Sequence, residues 1–188
     1  MSVSISRLSD HRLDKEKKYF LDANVWIFAL GNPPSPKTPG EEYIKFLDTL
    51  LESGIEIYAH SILISEIFNA LMRINFQDYL KSEHHRTGKK PILDFKKDFR
   101  GRSEYLDALS RFKSDIQAYS SNIQLIDNQL DFDPDYLIKN IPSSSDFNDY
   151  LFYEMALDQN LTIVTDDGDF NFSGIEILTQ NPWLLKNS

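Results

Sequence analysis

Acidic side chains recur beside apolar segments along this chain, and their chemistry suits the binding of a divalent cation. The four principal candidates and their two acidic neighbours are Asp22, Glu66, Asp149, Asp167, Asp146 and Asp169. Carboxylates that lie a few ångströms apart raise each other's pKa and resist joint ionisation. Mg²⁺ or Mn²⁺ offsets this repulsion, because these cations favour oxygen ligands and usually keep water and substrate phosphate in their coordination shell. A cation held in this way can activate water for the hydrolysis of a phosphodiester bond.

The elements that must bring these acids together are predicted from hydrophobic periodicity. Short apolar runs predict strands, and apolar residues spaced three or four apart predict helices. The predicted strands are 19–21, 55–59, 123–126, 161–164 and 175–178, and the predicted helices begin near Val25 and cover 41–53, 61–72, 105–119 and 146–159. Strands that alternate with helices predict a three-layer α/β/α sandwich with a central, mostly parallel sheet.

In such a sheet the candidate acids are expected at the carboxyl ends of the strands, where open parallel sheets bind their ligands. Asp22 and Asp167 closely follow predicted strands. Glu66 lies in the early turns of a helix that leaves a strand end, so that helix starts at the same edge. Asp146 and Asp149 lie in the first turn of a helix that runs antiparallel to the strand it enters, and their spacing of three puts both on one face.

Each acid also has a simpler structural interpretation. Asp22 can cap the helix that follows it, and Glu66 can be a solvated helix residue. Asp146 and Asp149 are typical first-turn acids, which the helix dipole favours, and residues 166–169 can form a tight acidic turn. The functional interpretation is favoured only because four acidic segments meet at one predicted edge.

The composition limits the classes of protein to which this chain can belong. Its 188 residues fit a single domain over 1–188, and it has no cysteine for disulfides, thiolate zinc sites or a thiol nucleophile. No apolar run approaches the ~20 residues of a membrane span, and the first residues lack the features of a secretory signal. We therefore expect a cytoplasmic protein with no membrane partner. The chain contains neither a G-x-x-x-x-G-K-[ST] phosphate loop nor a G-x-S-x-G elbow, so ATP use and serine hydrolysis have no support.

The charge is unevenly distributed along the chain. The net charge is −9, but residues 86–102 carry seven Lys and Arg against two Asp, a net of +5, which leaves −14 for the rest. A basic stripe on an acidic body suits a phosphate-binding edge beside a metal site, and a solvated charged loop is the simpler alternative. The candidate substrate-binding residues are Lys89, Lys90, Lys96, Lys97, Arg100 and Arg102. We expect them to lie in an irregular basic insertion at about 81–102.

Four segments also carry a family resemblance. They are Phe20-Leu21-Asp22-Ala23-Asn24-Val25, Ser65-Glu66-Ile67, Asp149-Tyr150-Leu151 with Ala156, and Ile163-Val164-Thr165-Asp166-Asp167-Gly168-Asp169-Phe170. In this order they resemble the four acidic motifs of PIN domains, the family that includes the VapC-type toxins of toxin–antitoxin pairs. The resemblance covers residues 19–178, and its last motif is the most specific. It implies an α/β/α fold, dependence on Mg²⁺ or Mn²⁺, and endonucleolytic cleavage of RNA.

The resemblance further implies roles for individual positions. The residues that it implies as metal ligands and catalytic acids are Asp22, Glu66, Asp149 and Asp167. It implies that Asn24 and Thr165 are polar helpers that orient a carboxylate or a water, with Asp146 and Asp169 as further supporting residues. Counting back from Ala156 favours Asp149 over Asp146 as the third acid. The chain is longer than the compact toxins, and the surplus lies in the basic insertion and in a loop predicted over 127–144.

The sequence therefore favours an Mg²⁺- or Mn²⁺-dependent endoribonuclease that acts as the toxin of a toxin–antitoxin pair. RNA is the expected substrate, and a small antitoxin protein and a second copy of the chain are the candidate partners. Two alternatives stay open. One is a non-catalytic binding or regulatory module of the same fold, and the other is a metal-dependent nuclease for DNA flaps or junctions.

Overall fold

A computed structural model describes residues 4–31, 40–127, 133–143 and 145–186 of the chain. The chain divides into two compact units. The first unit is formed by residues 1–64 and 122–188, and the second by residues 65–121. The boundary between residues 64 and 65 falls within a long helix.

The first unit contains a six-stranded sheet in which every strand pair is parallel. The strands are β1 Ser4–Arg7, β2 Lys18–Leu21, β3 Ile57–Ala59, β4 Ile123–Leu125, β5 Leu161–Val164 and β6 Glu176–Thr179. Their order in the sheet is β1-β6-β5-β2-β3-β4. Leu21 pairs with Val164, the last residue of β5. The carboxyl ends of β2 and β5 therefore lie side by side at one edge of the sheet.

Seven α-helices are described along the chain. They are α1 Ala23–Leu30, α2 Gly40–Glu52, α3 Ser61–Thr87, α4 Ser103–Tyr119, α5 Pro134–Asn140, α6 Phe147–Gln159 and α7 Pro182–Lys186. Helix α3 begins in the first unit and continues through the second, which also contains α4. The other five belong to the first unit.

Two consecutive residues of β2 separate two helical layers. Tyr19 packs edge-on against Phe46 of α2, with ring centroids 5.5 Å apart, whereas Phe20 packs against Phe152 of α6 at 5.0 Å. Successive side chains of a strand point to opposite faces of the sheet. Helices α2 and α6 therefore cover opposite faces, and the predicted three-layer α/β/α architecture is confirmed.

The predicted strands and helices are confirmed with shifts of a few residues at their ends, except that α3 extends to Thr87 rather than ending at Met72. Strand β1 was not predicted. Its four residues, Ser-Ile-Ser-Arg, are mostly exposed and lie at an edge of the sheet, where β1 pairs only with β6. Backbone hydrogen bonds hold such a strand, so it needs no apolar pattern that a sequence search can detect. Of the helices in the described part of the chain, none has the length and apolar character that crossing a membrane requires.

The second unit has an aromatic core of its own. Phe76, Tyr79 and Phe99 are buried there, and Phe95 and Tyr105 pack against them. Phe99 ends a short π-helical turn, Phe95–Phe99, which follows the lysine pair 89–90. The predicted basic insertion therefore contains two residues, Phe95 and Phe99, that pack in a hydrophobic cluster.

The prediction of an irregular basic insertion at about 81–102 is confirmed for residues 88–94 but is wrong for residues 81–87 and 95–99. Helix α3 continues to Thr87, and the π-helical turn supplies further regular structure. The last turns of α3 are hydrophilic and exposed, so hydrophobic periodicity gives no signal there. Ion pairs between residues three apart, such as Arg86 with Glu83 at 2.7 Å, are contacts that an exposed helix can form without an apolar face.

The prediction of an unbroken loop over residues 127–144 is also wrong. Helix α5 lies within this segment, although residues 128–132 and 144 are outside the described part of the chain. Asp133 accepts a hydrogen bond from the backbone N–H of Asp135 at 2.9 Å, and Pro134 is the first helical residue. An aspartate cap followed by proline is a typical helix start, so the signal was present in the sequence.

Candidate functional site

The first and last acidic motifs meet where β2 and β5 end. The backbone N–H of Asp22 donates to the carbonyl of Val164 at 2.9 Å, which continues the pairing of the two strands beyond Leu21. Thr165 is the next residue after β5, and its hydroxyl donates to Oδ2 of Asp22 at 2.7 Å. The parallel register therefore brings the first and last acidic motifs together across 143 residues of sequence.

The carboxylate of Asp22 is buried and held by neutral donors. Only 6% of the residue is exposed. Oδ1 accepts from the backbone N–H of Ala23 at 2.6 Å, and Oδ2 accepts from the side-chain amide of Asn24 at 2.8 Å as well as from Thr165. Burial raises the pKa of Asp22, and the charge of Asp167 raises it further, against the hydrogen bonds that favour the ionised form. The ionised form of Asp22 thus carries a desolvation cost that a nearby cation can offset.

Asn24 and Thr165 connect this carboxylate to the loop after β5. Oδ1 of Asn24 accepts from the backbone N–H of Asp166 at 3.1 Å, and Oγ1 of Thr165 accepts from that of Asp167 at 2.9 Å. The amide of Asn24 also donates to Oγ1 of Thr165 at 3.2 Å. Each polar helper therefore contacts both Asp22 and the acidic loop, so the two motifs are fixed relative to each other.

The segment Asp166-Asp167-Gly168-Asp169 forms a turn that is stabilised by its own acids. Oδ1 of Asp167 accepts from the backbone N–H of Asp169 at 2.9 Å. Asp167 is half-buried, whereas Asp169 is exposed. Burial and the charge of Asp167 raise the pKa of Asp166, although a hydrogen bond from Tyr43 opposes them. The acidic-turn interpretation thus describes the backbone correctly, and the same turn keeps Asp166 and Asp167 near Asp22.

Tyr43 of α2 supports this loop and was not among the predicted site residues. It is fully buried, and its hydroxyl lies 2.8 Å from Oδ1 of Asp166 and 3.0 Å from the carbonyl of Thr165. The same oxygen accepts from the backbone N–H of Gln180, just after β6, at 2.7 Å. The sequence marks Tyr43 only as a member of the apolar face of a helix, and hydroxyl partners more than 120 residues away leave no local pattern.

Asn181 is a second supporting residue that sequence reasoning missed. Its side-chain amide donates to the carbonyl of Asp166 at 2.6 Å, and its Oδ1 accepts from the backbone N–H of Trp183 at 2.9 Å. Asn181 precedes α7, so an asparagine at a helix start was the available signal. It connects the acidic turn to a helix that was not predicted.

Asp146 and Asp149 lie at the start of α6, in the same unit. Asp146 is the N-cap, and its Oδ1 accepts from the backbone N–H groups of Asn148 and Asp149 at 2.9 Å each. Asp149 is half-buried in the first turn, whereas Asp146 is exposed. One oxygen of Asp146 is therefore committed to capping.

This end of α6 lies beside the acidic turn. A cleft of about 300 Å³ is lined on one side by Ser145, the residue before the cap, and on another by Asp169 and Asn171. Helix α6 enters β5 through Asn160, which adopts a left-handed conformation (φ 53°). The helix thus starts at the edge where β5 ends, as the sequence argument requires.

Glu66 and the basic residues lie in the second unit. Glu66 is half-buried in the second turn of α3. The six predicted substrate-binding residues are all exposed: Lys89, Lys90, Lys96, Lys97, Arg100 and Arg102. Two of them are held against aromatic rings, with Arg100 5.5 Å from the centroid of Phe95 and Arg102 5.1 Å from that of Tyr79. The lysines extend from an ordered aromatic cluster.

The ends of β3 and β4 carry another polar group that was not predicted. Asp127 accepts from the backbone N–H of Ser61 at 3.1 and 3.2 Å, and Nε2 of His60 lies 3.6 Å from its Oδ1. Nδ1 of His60 accepts from the backbone N–H of Ile62 at 3.1 Å, which places the proton of the neutral ring on Nε2. Burial opposes ionisation of Asp127, but the Ser61 hydrogen bonds and His60 outweigh it, so the pKa of Asp127 is lowered.

The donor set at the β2–β5 edge consists of carboxylate oxygens, which suit a hard cation. Across the described ranges, no three His, Asp or Glu side chains are grouped closely enough to hold a metal ion as they stand. Mg²⁺ needs no such cage, because it commonly binds through one or two carboxylates and completes its octahedron with water and substrate phosphate. The carboxylates of Asp22 and Asp167 are therefore chemically suitable ligands for such a cation.

The chain was compared with protein-family models, with curated proteins and with solved structures. No family model, curated protein or solved structure matched it. The functional interpretation therefore depends on the residues of the chain and their contacts.

Proposed function

We propose that this protein is an Mg²⁺- or Mn²⁺-dependent endoribonuclease of the PIN type. The observation that carries the proposal is the buried carboxylate of Asp22, joined through Thr165 and Asn24 to the acidic turn that contains Asp167. A buried carboxylate whose pKa is raised beside a second acid is a candidate functional group, because groups with perturbed pKa values cluster at functional sites.

Asp22 and Asp167 would hold the cation, with Asp149 and Glu66 as the further candidates that the motif resemblance supplies. When bound, the cation would act as a Lewis acid towards a phosphate oxygen and would lower the pKa of a coordinated water. Thr165 and Asn24 orient the carboxylate of Asp22 and prevent it from rotating. Asp166 accepts a hydrogen bond from the hydroxyl of Tyr43, and this contact stabilises the conformation of the acidic turn.

RNA is the proposed substrate, and the toxin role is proposed from the motif resemblance. The exposed lysines and arginines of the second unit suit contacts to phosphate, which supply most of the salt-dependent affinity for nucleic acid. A small antitoxin protein is the corresponding proposed partner. Its existence can be checked by asking whether a short second chain co-purifies with the native protein and suppresses its activity.

Cleavage of matched single-stranded RNA and DNA oligonucleotides in Mn²⁺ tests the proposal. We expect the wild-type protein to cut RNA, and Asp22→Asn or Asp167→Asn to lower the rate by about 100-fold or more, because each removes a charged ligand oxygen. Asp158→Asn is the matched control, since Asp158 is exposed at the far end of α6. The proposal fails if Asp22→Asn, shown to be folded by circular dichroism, keeps full activity. Preferential cutting of DNA would replace RNA by the flap or junction alternative.

A further inference from the structure

Beside the acidic turn lies an exposed tryptophan that the proposed cleavage chemistry does not use. The chain has two tryptophans, of which Trp26 is buried at 1% exposure and Trp183 is 54% exposed. Tryptophan is enriched at binding surfaces, because it combines a large apolar ring with a polar N–H group. Trp183 is therefore a candidate for contact with a ligand.

The indole of Trp183 lies beside the acidic turn. A Cβ atom placed on Gly168 would lie 3.8 Å from Cε3 of the indole and 3.5 Å from Nδ2 of Asn181. Asn181 fixes the start of α7 through the backbone N–H of Trp183 and binds the carbonyl of Asp166 through its amide. The backbone of Trp183 is thus linked through Asn181 to the turn that contains the candidate metal ligand Asp167.

Trp183 also forms one wall of the cleft at this edge. The cleft is completed by Pro142, Ser145, Asp169, Asn171 and Phe172. Phe172, one of these lining residues, stacks on Tyr153 of α6 with ring centroids 4.5 Å apart and an interplanar angle of 13°. The cleft therefore offers a flat apolar wall together with hydroxyl, amide and carboxylate groups.

We propose that this cleft is a base-binding subsite, in which one nucleobase of single-stranded RNA stacks on Trp183 next to the phosphate that is cut. The inference rests on the proposed function and names the form of its substrate. A nucleobase presents a flat π-face and a polar edge, which match the indole and the groups of Ser145, Asn171 and Asp169. A duplex does not offer an unstacked base, so the subsite selects single strands.

The position of the subsite relative to the acids gives it a further consequence. The indole of Trp183 lies near Gly168, the residue after Asp167. A base stacked on the indole would contribute to binding of the substrate rather than to the hydrolysis step. Loss of the indole should therefore weaken substrate binding and raise KM, while kcat for a saturating substrate changes less.

The test is a binding titration with a ten-nucleotide oligoadenylate RNA in EDTA, where cleavage is prevented. We expect Trp183→Ala to weaken binding by about 5-fold to 100-fold, the range found for loss of one base–aromatic stack, and Trp183→Phe to keep most of the affinity. Leu157→Ala is the matched control, because Leu157 is an exposed apolar residue at the other end of α6. RNA should also protect the wild-type fluorescence from iodide, and the same sequence as a duplex should not.

Equal affinity of wild type and Trp183→Ala, or no protection of the indole by single-stranded RNA, would overturn the subsite. Because the titration contains no divalent cation, it does not depend on catalysis. A protein that cuts RNA in Mn²⁺ but shows no effect of Trp183→Ala keeps the nuclease proposal and loses the subsite. A protein that protects its indole yet cuts neither RNA nor DNA keeps the subsite as an RNA-binding site and loses the nuclease proposal.

Discussion

A partly or fully buried carboxylate lies at the end of the sheet where its strands start, the amino edge, and another lies where its strands finish, the carboxyl edge. The two carboxylates are stabilised in opposite ways. At the amino edge, Glu176 at the start of β6 binds Nζ of Lys17 at 2.6 Å and the hydroxyl of Thr162 at 2.8 Å. Burial alone would raise the pKa of Glu176, but Lys17 and Thr162 lower it below its ordinary value. At the carboxyl edge, burial raises the pKa of Asp22, and its described partners are neutral donors.

The difference between Glu176 and Asp22 separates a structural carboxylate from a candidate functional one. A lysine supplied by the chain neutralises Glu176 permanently. Within the described residues of the first unit, no lysine or arginine forms an ion pair with Asp22. The neutralising charge at Asp22 can therefore come from outside the protein, which is what a site for a divalent cation requires.

Thermal unfolding with and without Mn²⁺ gives the largest expected contrast between the two edges. Millimolar Mn²⁺ should stabilise the wild-type protein by about 2 to 3 kcal/mol if its concentration is ~100 times the Kd, because a ligand that binds only the folded state shifts the equilibrium by mass action. Asp22→Asn should abolish this stabilisation, whereas Glu176→Gln should keep it. Equal Mn²⁺ responses in wild type and Asp22→Asn would remove the distinction between the edges.

Thr165→Val measures how far the carboxyl edge depends on its neutral donors. The substitution keeps the shape of a fully buried side chain but removes the hydroxyl that binds Asp22 and accepts from Asp167. We expect a loss of about 1 to 3 kcal/mol in the free energy of unfolding, since the carboxylate of Asp22, the amide of Asn24 and the backbone N–H of Asp167 all lose a partner. Thr165→Ser, which keeps the hydroxyl, should lose less, and urea unfolding of both variants provides the measurement. A Thr165→Val protein as stable as wild type would show that water replaces the hydroxyl.

Lys17→Met measures the smaller contribution of the ion pair at the amino edge. The pKa of Glu176 is lower in the folded protein than in the unfolded chain, so its stabilisation is present above pH ~4.5 and is lost as the pH falls through the folded value. The variant should therefore be less stable than wild type by about 1 kcal/mol at pH 7, with a difference that shrinks towards pH 3. The pair is about one-third exposed, which limits the effect.

Lys45→Met is the control for the amino-edge experiment. Lys45 pairs with Glu41 and Glu42 on the exposed face of α2. Exposed pairs contribute little to stability, so we expect little change in the free energy of unfolding and a weak dependence on pH. His11, whose pKa is lowered by burial and by Lys17, lies near Glu176, so the unfolding series should include points between pH 5 and pH 7 to separate its titration.

The sequence supported the parts of the fold that repeat a local pattern. The strand that ends at Leu21 and the helix that begins after Asp146 both follow from apolar spacing and capping chemistry. Helix α5 could have been predicted from Asp133 and Pro134, and it was overlooked. The hydrophilic end of α3 could not, because exposed helical turns carry no apolar period.

The same distinction applies to the candidate site, part of which follows from the sequence and part only from the tertiary structure. That acids follow β2 and β5, and therefore stand at one edge of a parallel sheet, was decided by the sequence, because strand direction and element order leave few topologies. That Tyr43 and Asn181 hold the acidic turn, and that Trp183 lies near Gly168, was decided only by the tertiary structure. Hydrogen bonds and ring contacts between distant segments depend on distances of a fraction of an ångström, and a one-dimensional pattern of residue types does not encode those distances.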